Sequence, residues 1–541
     1  MTKKTKALKP YLETIEKDCS GLTKKELLET ILNIAKKVPQ AKREEFLEQL
    51  DNVETPSQET ITQAIRDLRA EVEERMVSIE NGRYYEEYDE AYFEEAPECM
   101  SKEQKQKLEV LFQQTEALFL SNQLQIAKAA YDELFEFELE YLSLDIDLRE
   151  TRARYFRCIY EISTPKQRVE NLLAVIAANK SIQISKSIFD GKYPFFQDIL
   201  DAHSGYLPDF DKFLPKWEKA LAKIDAQRAI LLRLEAVQFK KGISGVAKLA
   251  QSKQEPLYYL FWIEKLIEKN AWAEIISVTQ KALKVLPHSD YRAIIADSLI
   301  LAGKNQEDLP RVLKGKQEKF FSHPDDNTLL DWINEAELQE KRTNALKQAS
   351  NFLYKKRELS TLYIKVSLMA GEIDKAFVRV SKVKAYGWTN EQNSAGIVFA
   401  AILIALLPRK QQATELHKAI LEYYSRSYST ENSLVTQIIQ GIRRRQWPAS
   451  QSKLWQEWAE NIGKQRIEHI VSNKYRKAYG RAAEILGALG EYFILTDKAD
   501  YGISIIVEYR DVQFKRYNAF RKQVDSVVKN STVLRDKGIG Y

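Results

Sequence analysis

Glycine and proline are scarce in this chain, at 19 and 14 of 541 residues. Together they reach roughly half of ordinary usage, which is about 12%. Sheet-rich folds turn every few residues and draw on these two types to do so. Their shortage excludes a large all-β or Rossmann-like protein and leaves helices as the default. Cysteine and histidine are scarcer still, at 3 and 5 residues. Cys19, Cys99 and Cys158 lie too far apart for a zinc knuckle or a disulfide framework, which fits a reducing, cytoplasmic setting. His203, His288, His323, His417 and His469 show no HxxxH or HxH spacing, so no metal or other cofactor is expected. Long apolar runs are missing too. The longest, Ala395–Leu407, is too short to cross a bilayer, so no membrane partner is expected. The basic start Met1-Thr2-Lys3-Lys4 leads into a charged amphipathic stretch, not an apolar signal core.

What is present is charge, unevenly placed. The net charge is +5, but from Pro408 onward 23 Lys/Arg face 14 Asp/Glu, for +9, leaving −4 for the rest. An acidic-leaning body with a basic C-terminal quarter points to separate partners.

Four segments follow. Residues 1–78 read as a small N-terminal helical domain, with Leu22, Leu27, Leu28, Ile31, Leu32 and Ile34 at helical spacing. After two or three amphipathic helices in residues 1–50, a further helix starts at Thr55-Pro56, Thr55 capping and Pro56 at the first helical position, and runs through Met76. Residues 79–100 form an acidic, aromatic linker. Between Ile79 and Glu98, eight acidic residues stand against one Arg, beside Tyr84, Tyr85, Tyr88, Tyr92 and Phe93. Such a stretch is either a solvated linker or a docking strip for a basic partner, which makes Tyr84, Tyr85 and Tyr88 candidate partner-binding residues. Residues 101–407 give helical hairpins: Leu111–Phe137 turning near Asn122, Tyr258–Pro287 near Asn270, Leu299–Arg311 at Gly303 and Thr361–Val383 at Gly371. Residues 408–541 form a basic helical module, with Tyr517, Phe520, Val524 and Val527 in an apolar stripe. Asn530–Tyr541 read as a frayed tail.

Within the hairpins a large apolar residue, a small turn residue and an Ala recur, as in Tyr259…Ala282…Pro287 and Leu368…Gly371…Ala376; the first hairpin keeps Ala127 and Tyr131. This resembles tetratricopeptide repeats. The resemblance implies an all-α, TPR-like helical-hairpin superhelix, flanked by the N-terminal helical domain and the helical C-terminal module. Tyr258–Pro287 with Trp262 and Trp272, Ala293–Gly303 and Tyr475–Phe520 also resemble helical regions of bacterial SWIM zinc-finger proteins. The zinc-binding CxC…CxH element of that group is absent, so its nucleic-acid role is not implied.

Catalytic motifs are missing. Gly191-Lys192, Gly303-Lys304, Gly315-Lys316 and Gly463-Lys464 all lack the Ser/Thr of a Walker loop, and GxSxG, HExxH and GxGxxG do not occur. The chain therefore reads as a non-enzyme. Cys158 reads as a small buried apolar residue; a cysteine enzyme would need it exposed with a depressed pKa. Three basic-aromatic clusters remain: Arg443-Arg444-Arg445 with Trp447, Lys474-Tyr475-Arg476-Lys477 continuing to Arg481, and Phe514-Lys515-Arg516-Tyr517 with Phe520-Arg521-Lys522. Their rings read first as core with cations around them, next as a site for an acidic protein, and last as a site for nucleic acid. Arg443, Arg444, Arg445, Lys474, Arg476 and Lys477 are candidate partner-binding residues.

The apolar run ending at Leu407 must be buried, and Pro408 disfavours helical geometry at Leu407. The charge sign changes at the same place. Leu406, Leu407, Pro408, Arg409 and Lys410 mark either an ordinary helix end or a protease-accessible boundary between modules. The size, the helical build, the lack of catalytic motifs, and the acidic body joined to a basic module at Leu407-Pro408 resemble one family. It is the substrate protein of the caspase-like, RNA-guided protease of type III-E CRISPR systems. The resemblance implies a bacterial, cytoplasmic, non-enzymatic regulator of antiviral defence, cut near Leu407-Pro408-Arg409-Lys410. Its implied partners are the caspase-like protease complex and a sigma factor.

Overall fold

The computed structural model describes residues 14–15, 17–19, 21–39, 42, 57–80, 99–137, 144–177, 193–203, 206–388, 393–425, 434–445 and 447–538. Every regular element among them is helical. The chain divides into two compact units, Met1–Asn270 and Ala271–Tyr541.

In the first unit α1, Lys24–Ala35, opens on a capping box: Thr23 accepts from the Glu26 backbone while the Glu26 carboxylate accepts from Thr23 N–H at 2.7 Å. Next come α2 (Gln58–Glu80), α3 (Lys102–Leu120), α4 (Leu124–Leu134) and α5 (Leu148–Ile162). Thr55 lies outside the described residues; Ser57 supplies the cap, its Oγ accepting from Thr60 N–H. Ile61, Ile65, Leu68 and Val72 fall on one face of α2 and pack with Leu108 and Phe112 of α3 and Tyr131 of α4. Arg66 and Arg69 bind Glu133 of α4 from the same helix. Residues 58–78 therefore share a core with 101–137, and the expected boundary at residue 78 is not a break in packing. The helix also runs on through Glu80, inside the expected linker.

The rest of this unit is α6 (Arg168–Ala177), α7 (Phe196–Asp201), α8 (Phe210–Leu221), α9 (Gln227–Lys253, broken at Gly242) and α10 (Pro256–Ile267). Glu235 on α9 is buried and accepts the backbone N–H groups of Phe196 and Gln197 at 2.7 and 2.8 Å. Burial raises its pKa to about 7, partly opposed by those two bonds. The protonated form is thus favoured by the fold, and between pH 4.5 and 7 the folded state holds a proton that the unfolded chain has lost. Stability contributed by this group falls as pH rises through that window, by about 3 kcal/mol in all. Denaturant titrations across the window should show that slope in the wild type and a flatter one in Glu235→Gln.

The second unit continues with α11 (Trp272–Val285), α12 (Asp290–Asn305), α13 (Leu309–Ser322), α14 (Asp326–Leu338), α15 (Arg342–Leu353), α16 (Ser360–Met369) and α17 (Ile373–Val380). The first helices of successive hairpins begin at Asp290, Asp326 and Ser360, roughly 35 residues apart. Each hairpin turns through one left-handed residue: Glu307, Glu340 and Gly371, with φ of 54°, 58° and 69°. The next N–H bonds five residues back, Asp308 to Gly303, Lys341 to Ala336 and Glu372 to Ser367, which is the Schellman closure of a helix. The turn at Asn122 repeats it in the first unit, with Gln123 N–H on the Leu118 carbonyl. Gly303, expected to turn, instead lies inside α12. A Cβ there would meet Val312 of α13 at 3.1 Å, so this glycine allows close helix packing, and Glu307 makes the turn.

α18 (Ala395–Ala405) is buried along its whole length except at Ala405. It is enclosed by α19 (Glu415–Ser425), α20 (Leu434–Arg443), α21 (Ala449–Ser472) and α22 (Tyr479–Leu495). The chain ends with α23 (Ala499–Val507), a π turn at Glu508–Gln513, α24 (Asn518–Asn530) and α25 (Thr532–Arg535). One core runs from Phe320 through Phe399, Ile438 and Leu489 to Phe520 and Leu534. Segments before and after residue 408 therefore share it, although the charge changes sign there. Nor is the tail wholly frayed, because Leu534 is buried and Ser531 Oγ donates to Glu491 Oε1 at 2.5 Å.

Candidate functional site

The best-defined feature is the loop after α18. Pro408, Arg409, Lys410, Gln411 and Gln412 are all exposed, while Leu407 and Ala413 on either side are buried and Leu406 is half-buried. Pro408 stops the helix, and Gln411 N–H closes a turn on the Pro408 carbonyl at 2.9 Å. The loop is held by one side chain. The Arg443 guanidinium donates to the carbonyls of Ile404 (3.4 Å), Leu407 (3.0 Å), Pro408 (3.1 Å), Arg409 (2.9 Å) and Gln411 (2.7 Å). Partial burial and the neighbouring Arg409 lower the Arg443 pKa. The far end of the loop is fixed by Thr414, whose hydroxyl bonds the buried Glu491 carboxylate. Glu491 also takes Ser531, so the loop and the C-terminal helix are tied to one carboxylate of α22.

The structure gives Arg443 a role inside the protein that the sequence did not suggest. Its two Nη groups donate to backbone carbonyls at the end of α18 and in the loop, so it acts as a clamp within the protein. Arg444 and Arg445 are exposed, with Arg444 3.7 Å from Glu337. No motif could flag the clamp, since its acceptors are backbone atoms 32 to 39 positions earlier.

The other clusters divide by exposure. Phe514 and Phe520 are buried and pack edge-to-face at 5.7 Å, while Lys515, Arg516 and Lys522 are exposed around them. This is core with cations at its rim. Lys474, Tyr475, Arg476 and Lys477 are all exposed, in the turn between α21 and α22. Tyr84, Tyr85 and Tyr88 lie outside the described residues.

Cys158 does not meet the requirement for a nucleophile. It is fully buried on α5, and burial together with Glu161 pushes its pKa up to about 12. A cavity of about 310 Å³ in the second unit is lined by Lys365, Asp326, Thr361, Ser394, Trp388 and Tyr424 among others. Lys365 is paired with Asp326 at 2.6 Å and the Thr361 and Ser394 hydroxyls bond each other at 2.7 Å. The cavity offers polar contacts without an imidazole or thiol in its lining. Among the described residues no group of acidic, His or Cys side chains is placed to hold a metal, and no helix is long and apolar enough to cross a membrane. The protein is thus an all-α protein of stacked helical hairpins. No protein-family model matches the chain, and no curated protein matches it either.

Proposed function

We propose that this chain is a non-enzymatic, protein-binding helical scaffold whose 408–412 loop is the point at which a protease cuts it. The role is the one implied by its resemblance to the substrate of the type III-E CRISPR protease. The observation that carries the reading is the loop itself: five consecutive exposed residues between two buried ones. Leu407 is inside the core, so the bonds after Arg409 and Lys410 are better placed for cutting than the Leu407–Pro408 bond. Neighbouring hairpin ends supply a docking surface. Leu309 and Leu338 are 58% and 81% exposed, and Gln339, next to Leu338, donates to the Leu309 carbonyl at 2.8 Å, which joins the start of α13 to the end of the neighbouring α14.

A cut in this loop leaves both fragments in one core, so the nicked protein stays together until a partner, such as a sigma factor, separates them. The test is incubation of the full chain with a target-RNA-activated type III-E protease complex, followed by mass spectrometry and native sizing. The expected result is a cut within residues 408–412, two bands on a denaturing gel and an unchanged native size. An intact chain, or cutting only elsewhere, overturns the proposal.

A further inference from the structure

Three rings from distant parts of the second unit form a row on its surface. Tyr386, in the segment after α17, stacks on His469 of α21 with ring centroids 5.2 Å apart. His469 in turn meets Tyr475, in the turn before α22, at 5.7 Å. The outer two residues, Tyr386 and Tyr475, are 45% and 52% exposed. Cations border the row on both sides. Lys384 lies 5.3 Å from the Tyr386 ring, and Lys382 beside it is exposed. Lys474, Arg476 and Lys477 flank Tyr475, all exposed and without an ion pair among the described residues.

α22 packs on α24. Tyr479 meets Phe520 at 5.9 Å, and a Cβ on Gly487 would touch Val527, so the two helices run side by side in the same direction. Their N-terminal ends therefore lie together, and Lys515, Arg516 and Lys522 are exposed around the start of α24. Both helix starts add partial positive charge at this end.

We propose that this aromatic-basic strip binds single-stranded nucleic acid without sequence preference. Cations alone would serve an acidic peptide equally well, but a row of half-exposed rings favours a ligand with flat faces of its own. Bases freed from a duplex present such faces, and the flanking Lys and Arg neutralise the phosphates between them. The site is separate from the 408–412 loop, and its occupancy does not depend on cutting there.

The test is fluorescence anisotropy of the full chain with labelled oligouridylate and, separately, oligothymidylate, at about 50 and 200 mM salt. Binding is expected at the lower salt and should weaken steeply at the higher. Tyr475→Ala should weaken it about 5- to 100-fold, while Tyr475→Phe, which keeps the ring, should bind like the wild type. The triple reversal Lys474→Glu, Arg476→Glu, Lys477→Glu should lower the slope of log affinity against log salt by about 2. These side chains are exposed, so unchanged melting checks that the variants fold. Absence of binding at the lower salt overturns the proposal. So does indifference to Tyr475→Ala, or equal competition by polyglutamate, which would mark the strip as a site for an acidic peptide.

Discussion

Replacing Arg443 with methionine is expected to raise the rate of tryptic cutting after Arg409 and Lys410 by about 100-fold. Proteases act on chain that can leave its folded surface, so cutting tracks the population of the locally opened state. In the wild type, opening the loop breaks the guanidinium contacts to the Pro408, Arg409 and Gln411 carbonyls. A hydrogen bond to a charged group contributes about 1.5–3 kcal/mol, and contacts sharing one guanidinium do not add. Taking about 3 kcal/mol for the whole clamp gives the 100-fold figure, since each 1.4 kcal/mol is about tenfold. Methionine keeps much of the apolar stem and removes every donor. The readout is the initial rate of appearance of fragments beginning at Lys410 or Gln411, by mass spectrometry. Equal rates in the two proteins would show that the clamp does not hold the loop closed. The prediction also bears on the proposed role, because a protease that acts on this loop must first displace Arg443 or bind the loop in its turn.

The helices were legible because their signals are local. The spacing in Leu111–Phe137 is that of α3 and α4, the apolar run before Pro408 holds α18, and in the expected stripe Phe520 and Val524 are buried while Tyr517 and Val527 pack half-buried against the core. The turns were less legible. A glycine is the usual mark of a left-handed helix end, yet Glu307 and Glu340 occupy that conformation because the Schellman bonds beside them offset its cost, about 1–2 kcal/mol. The candidate sites were hardest to read. Arg443, Arg444 and Arg445 form one basic run in sequence, and only the fold turns the first toward the 408–412 loop while leaving the others exposed. Tyr386, His469 and Tyr475 share no motif at all, since their row exists only once α21 and the two segments beside it are packed. Charge asymmetry misled in a similar way. The sign change at Pro408 is real, but α18 is buried along all but its last residue, largely against helices from the basic side, and apolar burial outweighs net charge in deciding what packs with what.

Gly441→Ala should be the most damaging single methyl in the second unit. Gly441 lies on α20 where that helix crosses the end of the α16–α17 hairpin. A Cβ there would sit 2.2 Å from the Met369 carbonyl oxygen and 2.6 Å from that of Leu368, both backbone atoms that cannot rotate away. The contact is mutual, for a Cβ on Gly371 would lie 2.6 Å from the Gly441 carbonyl. The same crossing is pinned by Arg342, which is buried and donates to the Met369 carbonyl at 3.1 Å and to Gln437 Oε1 at 2.9 Å. Relief of the overlap must part α20 from the hairpin and lengthen those bonds, so a loss of at least about 3 kcal/mol is expected, the upper end for overpacking. Gly387→Ala is the control. Gly387 is left-handed at φ 74° but has nothing near its Cβ position, so it should lose only the backbone strain, about 1 kcal/mol. Urea midpoints of the two variants separate lack of space from backbone strain, and equal losses would refute the crossing as the tighter constraint. Arg443 follows Gly441 on the same helix, so displacement of α20 also withdraws the clamp. Gly441→Ala should therefore speed tryptic cutting at the 408–412 loop under conditions where the chain is still folded, while Gly387→Ala should leave it unchanged.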